Sequence, residues 1–161
     1  MAPTPLSYFT YHMPLGRLTI GSNGQALTSI AFGEQLLPGE KRATELTNRA
    51  ANQLQEYFAG KRHSFDLPLA PEGTDFQKRV WKAIEEVPYG QTRSYSDIAR
   101  AVGNPTACRA VGGANNRNPL PIIIPCHRII GTNGALVGYG GGAKIKSYLL
   151  KLERRGIESN Y

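Results

Sequence analysis

Residues 121–131 constrain this chain more than any other stretch. The run Pro-Ile-Ile-Ile-Pro-Cys-His-Arg-Ile-Ile-Gly sets a thiol, an imidazole and a guanidinium between β-branched residues that demand burial. The thiolate is the useful nucleophile of cysteine, and a neighbouring His or cation lowers its pKa. Ile-rich flanks exclude water and fix the backbone. A plain core strand that contains Cys is the alternative, since free Cys is among the most buried residue types. Taken alone, the stretch supports both readings.

Composition narrows the setting. With 161 residues, 40% of them hydrophobic, the chain fits one mid-sized domain or two small ones with a real core. Cys108 and Cys126 with three histidines cannot supply a four-ligand zinc site at a usual spacing, and no disulfide framework is present. Free thiols point to a reducing compartment, and the start Met1-Ala2-Pro3-Thr4-Pro5 lacks the basic and apolar regions of a signal peptide. A soluble, cytoplasmic protein with no membrane partner is expected. The net charge of +7 favours a polyanionic partner. Residues 1–70 hold six Lys or Arg against five acids, whereas residues 71–161 hold thirteen against seven, so the basic half is the half with Cys126.

Along the chain, Leu6–His12, Leu15–Gly21 and Ala26–Phe32 read as a β-meander, with Asn23-Gly24 as a hairpin turn. Apolar residues at helical spacing predict a helix over Glu40–Ala59. The Pro-punctuated connector Phe65–Pro71 follows, and the expected domains are residues 1–70 and 71–161. Thr74 and Gln77 form a capping box for a helix ending at Pro88-Tyr89-Gly90, in which Trp81 reads as a packing residue.

Two short helices come next. Ser94 with Asp97 caps the first, Gly103-Asn104 turns, and Pro105 opens the second. This is helix-turn-helix spacing. In the second helix Ala107, Ala110, Val111 and Ala114 read as the inner face, with Cys108, Arg109, Gly112, Asn115 and Asn116 outside. Mid-helix Gly112 and Gly113 each cost about 1 kcal/mol relative to Ala, so a slim helix is required either by a narrow groove or by a neighbouring helix. A major-groove reader would carry several long polar side chains, and this helix carries one Arg, which favours shape-based binding. Asn118-Pro119 lies between this helix and the cysteine. After a turn at Gly131–Gly134, the Gly138–Gly142 loop lacks the ending of a P-loop and reads as a wall close to a flat ligand. A final helix, Lys144–Arg155, turns Ile145, Tyr148, Leu149 and Leu152 inward and stops at Gly156, with Glu153 one position off that face.

Arg109-Ala110-Val111-Gly112, Asn118-Pro119, Ile124-Pro125-Cys126-His127-Arg128, Gly138-Tyr139 with Gly141-Gly142, and Lys146 with Leu149-Leu150 and Glu153 fall in order. Over about Thr74 to Glu153 they resemble the O6-alkylguanine-DNA alkyltransferases, also called methylated-DNA-protein-cysteine methyltransferases. The resemblance implies an α/β fold, with a small ribonuclease-H-like N-terminal domain followed by a mostly helical catalytic domain. It implies direct-reversal repair of double-stranded DNA carrying O6-alkylguanine, bound from the minor groove, with O4 of thymine as a second target. The flipped base would lose its alkyl group to Cys126, once per molecule.

By the same resemblance His127 deprotonates Cys126 through a water, because adjacent side chains in a strand point apart. Glu153 orients His127, and Tyr95 assists departure of guanine. Arg109 fills the gap left by the flipped base, and Asn118 is the hinge between helix and active site. Ala110, Gly112, Gly113, Asn115 and Arg128 complete the expected DNA contacts, and Tyr139, Gly140, Ile129 and Asn118 border the base pocket. No cofactor and no metal are implied, and a monomer in solution is expected, with cooperative assembly on DNA left open. Ile129 stands where Val is commonest. A nonenzymatic alkyltransferase-like lesion binder would share the fold but replace the cysteine. A Cys-His hydrolase rarely has adjacent nucleophile and base, and a plain helix-turn-helix regulator leaves the cysteine block unexplained.

Overall fold

In the computed structural model, which describes residues 5–131 and 142–158, the chain divides into two units, Met1–Glu72 and Gly73–Tyr161. The first is built on the meander β1 (Ser7–Met13), β2 (Gly16–Ser22) and β3 (Leu27–Phe32), paired antiparallel with Phe9 opposite Ile20 and Ile20 opposite Ile30. Asn23 Oδ1 accepts from the amides of Gln25 and Ala26, which closes the β2–β3 turn, and Gly24 there adopts φ +91°. The helix expected from Glu40 begins later. Glu40–Lys41 instead forms the edge strand β4, parallel to β1, giving the order β3-β2-β1-β4. Thr44 then caps α1 (Glu45–Phe58), its hydroxyl accepting from the Thr47 amide. Ala50, Leu54 and Tyr57 bury the helix's apolar face, and Leu18, Ile20 and Leu27 are buried from the sheet.

The second unit carries the cysteine. Thr74 and Gln77 cap α2 (Asp75–Glu85) reciprocally, as do Ser94 and Asp97 at the start of α3 (Tyr95–Ala101). Trp81 is 2% exposed and donates Nε1–H to the carbonyl of Ala114 at 2.8 Å, which fixes α2 against α4 (Cys108–Asn116). Pro105 lies in the turn before α4 rather than in its first turn. The inner face of α4 is also shifted. Val111, Ala114 and Asn115 are buried, while Ala110 is exposed, because the buried Asn115 finds polar partners beside Cys126.

The cysteine segment is not the extended strand that its Ile content suggests. Cys126–Arg128 is a 3₁₀ turn, with the Cys126 amide bonded to Ile124 O at 2.7 Å and the Arg128 amide to Pro125 O at 2.9 Å. Pro125 has no N–H to give to a ladder, so pairing resumes only at β6 (Ile129–Ile130), parallel to the short β5 (Arg93–Ser94). Upstream, the buried Ile122 holds φ +76°, a conformation that costs a β-branched residue of order 1–3 kcal/mol and persists only where its surroundings impose it.

The last helix, α5 (Ala143–Glu158), runs through Gly156 rather than stopping there. A Cβ at Gly156 would lie 2.2 Å from Tyr89 Oη, so this glycine serves close packing. The buried face of α5 is Lys146, Leu149, Glu153 and Gly156, turned by one position from the expected apolar stripe; Tyr148 is exposed. Among the described residues no helix is long and apolar enough to cross a membrane.

Candidate active site

Cys126 is 2% exposed and is reached from several directions within the second unit. The Asn115 amide of α4 donates to the carbonyl of Cys126 at 3.4 Å and hydrogen-bonds Tyr95 of α3. Asn118, just beyond α4, donates to Ile124 O at 2.8 Å, accepts from the Leu120 amide at 2.9 Å, and hydrogen-bonds the thiol of Cys126. One side chain thus pins both ends of the loop that holds Ile122 in its strained conformation. Asn115 was expected on the DNA face of α4; burial turns it inward to support the cysteine instead.

Behind the thiol lies a buried polar cluster. His127 is fully buried, and its Nε2 sits 2.6 Å from Glu153 Oε2. Glu153 also accepts from Arg128 Nε and Nη2, both at 2.9 Å, and from the Gly90 amide at 3.0 Å. A carboxylate with that set of donors stays ionised. Burial opposes its charge, yet the bonds and charges of His127 and Arg128 prevail and hold Glu153 well below the usual carboxylate range. An ionised carboxylate only accepts, so the imidazole proton resides on Nε2 and Nδ1 keeps its lone pair. Nδ1 is itself buried and finds no hydrogen-bond partner among the described residues. Burial pushes His127 below its ordinary value of 6.5, against the pull of Glu153 and with the help of Arg128 and Lys146. The imidazole is therefore a neutral base.

Burial raises the Cys126 thiol to about 11, with the Asn118 hydrogen bond and the charge of Lys146 acting in the opposite sense. The resting sulfur is a thiol, and a base must take its proton for it to react. Lys146 is fully buried, donates Nζ–H to Ile129 O at 2.5 Å, and burial lowers it to about 8. Nothing in its residue type or spacing signals a role in the site, and only its place within the final motif block points to one. Burial likewise raises Tyr95, which lies within electrostatic reach of Cys126.

The other expected residues divide. On α4, Arg109, Ala110 and Gly113 are exposed, and Gly112 is half-buried. A Cβ on Gly113 would meet nothing within 4 Å, and one on Gly112 would make ordinary contact with Tyr95 at 3.9 Å. Packing among the described residues therefore does not require the slimness of this helix. Arg128, expected on the DNA, is buried, its guanidinium committed to Glu153 and, through Nη1 at 2.6 Å, to Val87 O. Ile129 is buried with its carbonyl bonded to Lys146. Tyr139 and Gly140 lie outside the described residues.

The titration of the cluster predicts acid sensitivity. The depressed His127 resists protonation in the folded state, so its contribution is intact above pH 6.5 and drains as pH falls below it. Glu153 acts in the same direction below its ordinary 4.5. Thermal melts should show Tm falling by several degrees between about pH 7 and 5 and more steeply below. A flat Tm across that interval would contradict the assignment.

Comparison with known proteins agrees with this architecture. Residues 75–155 match the DNA binding domain of 6-O-methylguanine DNA methyltransferase, and residues 6–71 match its ribonuclease-like domain. A methylated-DNA–protein-cysteine methyltransferase of Methanosarcina barkeri is 51% identical, covering 93% of this chain and 98% of its own. The constitutive enzyme of Bacillus subtilis is 48% identical over 91% of this chain and 94% of its own. The crystal structure of Mycobacterium tuberculosis OGT in complex with DNA superposes with a TM-score of 0.87 at 47% identity, covering 93% of this chain and 94% of that one. With its ribonuclease-like sheet and helix, its helical second unit and this extent of identity, the chain belongs to the 6-O-methylguanine DNA methyltransferase family.

Proposed function

We propose that this protein repairs duplex DNA by moving the alkyl group from O6 of guanine, and from O4 of thymine, onto Cys126. The observation that carries the reading is a buried thiol next in the chain to a fully buried imidazole whose Nε2 is held 2.6 Å from the Glu153 carboxylate. His127 Nδ1 accepts the thiol proton through an intervening water, and Glu153 stabilises the imidazolium that forms. The sulfur then attacks the alkyl carbon, the carbon–O6 bond breaks, and Tyr95 gives its phenolic proton towards O6 so that guanine leaves neutral, the proton held on His127 making good the one Tyr95 gives up. The product is a thioether, which has no group that water readily displaces. Each molecule therefore acts once.

A target atom within the base stack is out of reach of a buried sulfur, so the nucleotide must be rotated out. Gly112 and Gly113, which no contact among the described residues demands, let α4 lie close in the minor groove, with Arg109 filling the vacated space and Ala110 against the backbone. Asn118 links that helix to the Cys126 loop. Arg109→Ala should slow transfer from duplex DNA by about tenfold to a hundredfold, corresponding to a few kcal/mol of unstacking that is no longer offset. Reaction with a free alkylated guanine base should change less than about twofold. Equal losses on the two substrates would exclude the finger role.

The reading is tested by stoichiometry. With methyl-labelled O6-methylguanine duplex in excess, label transferred to protein should plateau at one methyl per molecule. Continued turnover would overturn it.

A further inference from the structure

The guanidinium of Arg128 is the least expected feature of the site, because the resemblance implies a DNA contact there. It is 5% exposed and makes three directed contacts: a fork on Glu153 through Nε and Nη2 at 2.9 Å, and Nη1 on Val87 O at 2.6 Å. Its carbon lies 5.7 Å from the centroid of the Tyr89 ring. Glu153 in turn holds the Gly90 amide. Arg128 thus ties together the end of α2, the 3₁₀ turn and α5, and it shares with His127 the one carboxylate of the cluster.

That sharing has a chemical consequence. A buried carboxylate alone with an imidazole favours the imidazolium, because proton uptake creates an ion pair where a lone charge would otherwise be buried. An imidazolium has no lone pair for a thiol proton. With Arg128 already matching the charge of Glu153, a proton taken up from solvent at rest would make His127 an uncompensated cation in a dry site, whereas one taken from Cys126 leaves a thiolate to balance it. We propose that Arg128 is a positioning residue that keeps His127 in its neutral, proton-accepting form, and that it is not a DNA contact. This rests on the reading of Cys126 and His127 given above.

The other groups around His127 do not take over that role. Lys146, from the same helix as Glu153, adds positive charge and acts in the same sense as Arg128, but its Nζ is bonded to Ile129 O. Cys126, on the same turn, is a thiol at rest. Tyr89 and Tyr95 are both raised by burial and neutral at physiological pH. Arg128 bonds directly, through two nitrogens, to the carboxylate that His127 uses.

The test compares wild type, Arg128→Met and Arg128→Lys. Single-turnover methyl transfer from an O6-methylguanine duplex is followed across about pH 5 to 9, and His127 is followed by imidazole nitrogen NMR. In the wild type His127 should be neutral with its proton on Nε2 at neutral pH. In Arg128→Met the acid limb of the rate profile and the NMR titration should move up together by about one pH unit, giving about a tenfold loss near pH 6 that closes at the alkaline end. Arg128→Lys keeps a charge without the fork, so its limb should stay near that of the wild type while its Tm falls. A uniform loss at every pH with an unmoved limb would reduce Arg128 to a structural tie and overturn the proposal. So would an imidazolium in the wild type at neutral pH, a result that is readable even if Arg128→Met does not fold. Failure of the wild type to take up methyl would sink the transfer reading instead, and the NMR titration would still decide the role of Arg128.

Discussion

Cys126→Ala is expected to abolish methyl transfer while leaving lesion binding within about threefold of the wild type. The two effects separate because the sulfur is a reactant, whereas the contacts proposed for DNA lie on α4 and at Asn118. The side chain is 2% exposed, and loss of one sulfur atom from a packed site costs about 1 kcal/mol, too little to unfold a domain of ordinary stability. Single-turnover assays with O6-methylguanine duplex, paired with binding titrations on the same DNA, measure both quantities. Transfer that persisted in the variant would move the nucleophile to another residue, and Cys108 would be the thiol to examine. That thiol faces Ser96 Oγ at 3.3 Å.

Glu153→Gln should produce the second large effect, and it should do so twice over. The carboxylate accepts from Gly90, from His127 and from two nitrogens of Arg128. A carboxamide offers one acceptor oxygen and turns its own NH₂ towards donors, and Arg128 is left as a buried cation without a counter-charge. Breaking a buried pair by removing one partner costs about 3–5 kcal/mol, a large part of the about 5–15 kcal/mol that holds a domain folded. Transfer by the fraction that remains folded should fall by about 10²–10⁴, the usual contribution of a positioned general base. Denaturant titration reads the first loss and single-turnover rate the second. A variant as stable as the wild type would mean that the charges of the cluster are not coupled as the distances indicate.

Much of this was legible in the residues themselves. The capping pairs Thr74/Gln77 and Ser94/Asp97 place α2 and α3 correctly, because a reciprocal side-chain cap is a local event that tertiary contacts rarely override. Trp81 as a packing residue follows from its position beside the apolar stripe. The misplacements share one cause. Helical periodicity counts apolar residues, whereas in α4 and α5 the buried positions are partly polar. Asn115 displaces Ala110 from the inner face, and Lys146 and Glu153 displace Ile145 and Leu152, because each polar side chain meets a partner near Cys126 that its own helix does not supply.

Arg128 shows the same limit from the other side. A basic residue in a basic half reads as a DNA contact until Glu153, twenty-five positions later, is seen bonded to the Nε and Nη2 edge of its guanidinium. The 3₁₀ turn at Cys126 was equally hidden, since the Ile run carries strong strand propensity and only Pro125 hinted that the ladder could not continue.

The central claim, that Cys126 is the atom-accepting residue, is tested most directly by weighing one peptide. After incubation with DNA containing O6-methylguanine, tryptic cleavage after Arg117 and Arg128 releases Asn118–Arg128, which contains Cys126 and no other thiol. The peptide should be heavier by a single methyl group, with fragmentation placing that group on the sulfur, in step with loss of the lesion. An unmodified peptide alongside repaired DNA would contradict it.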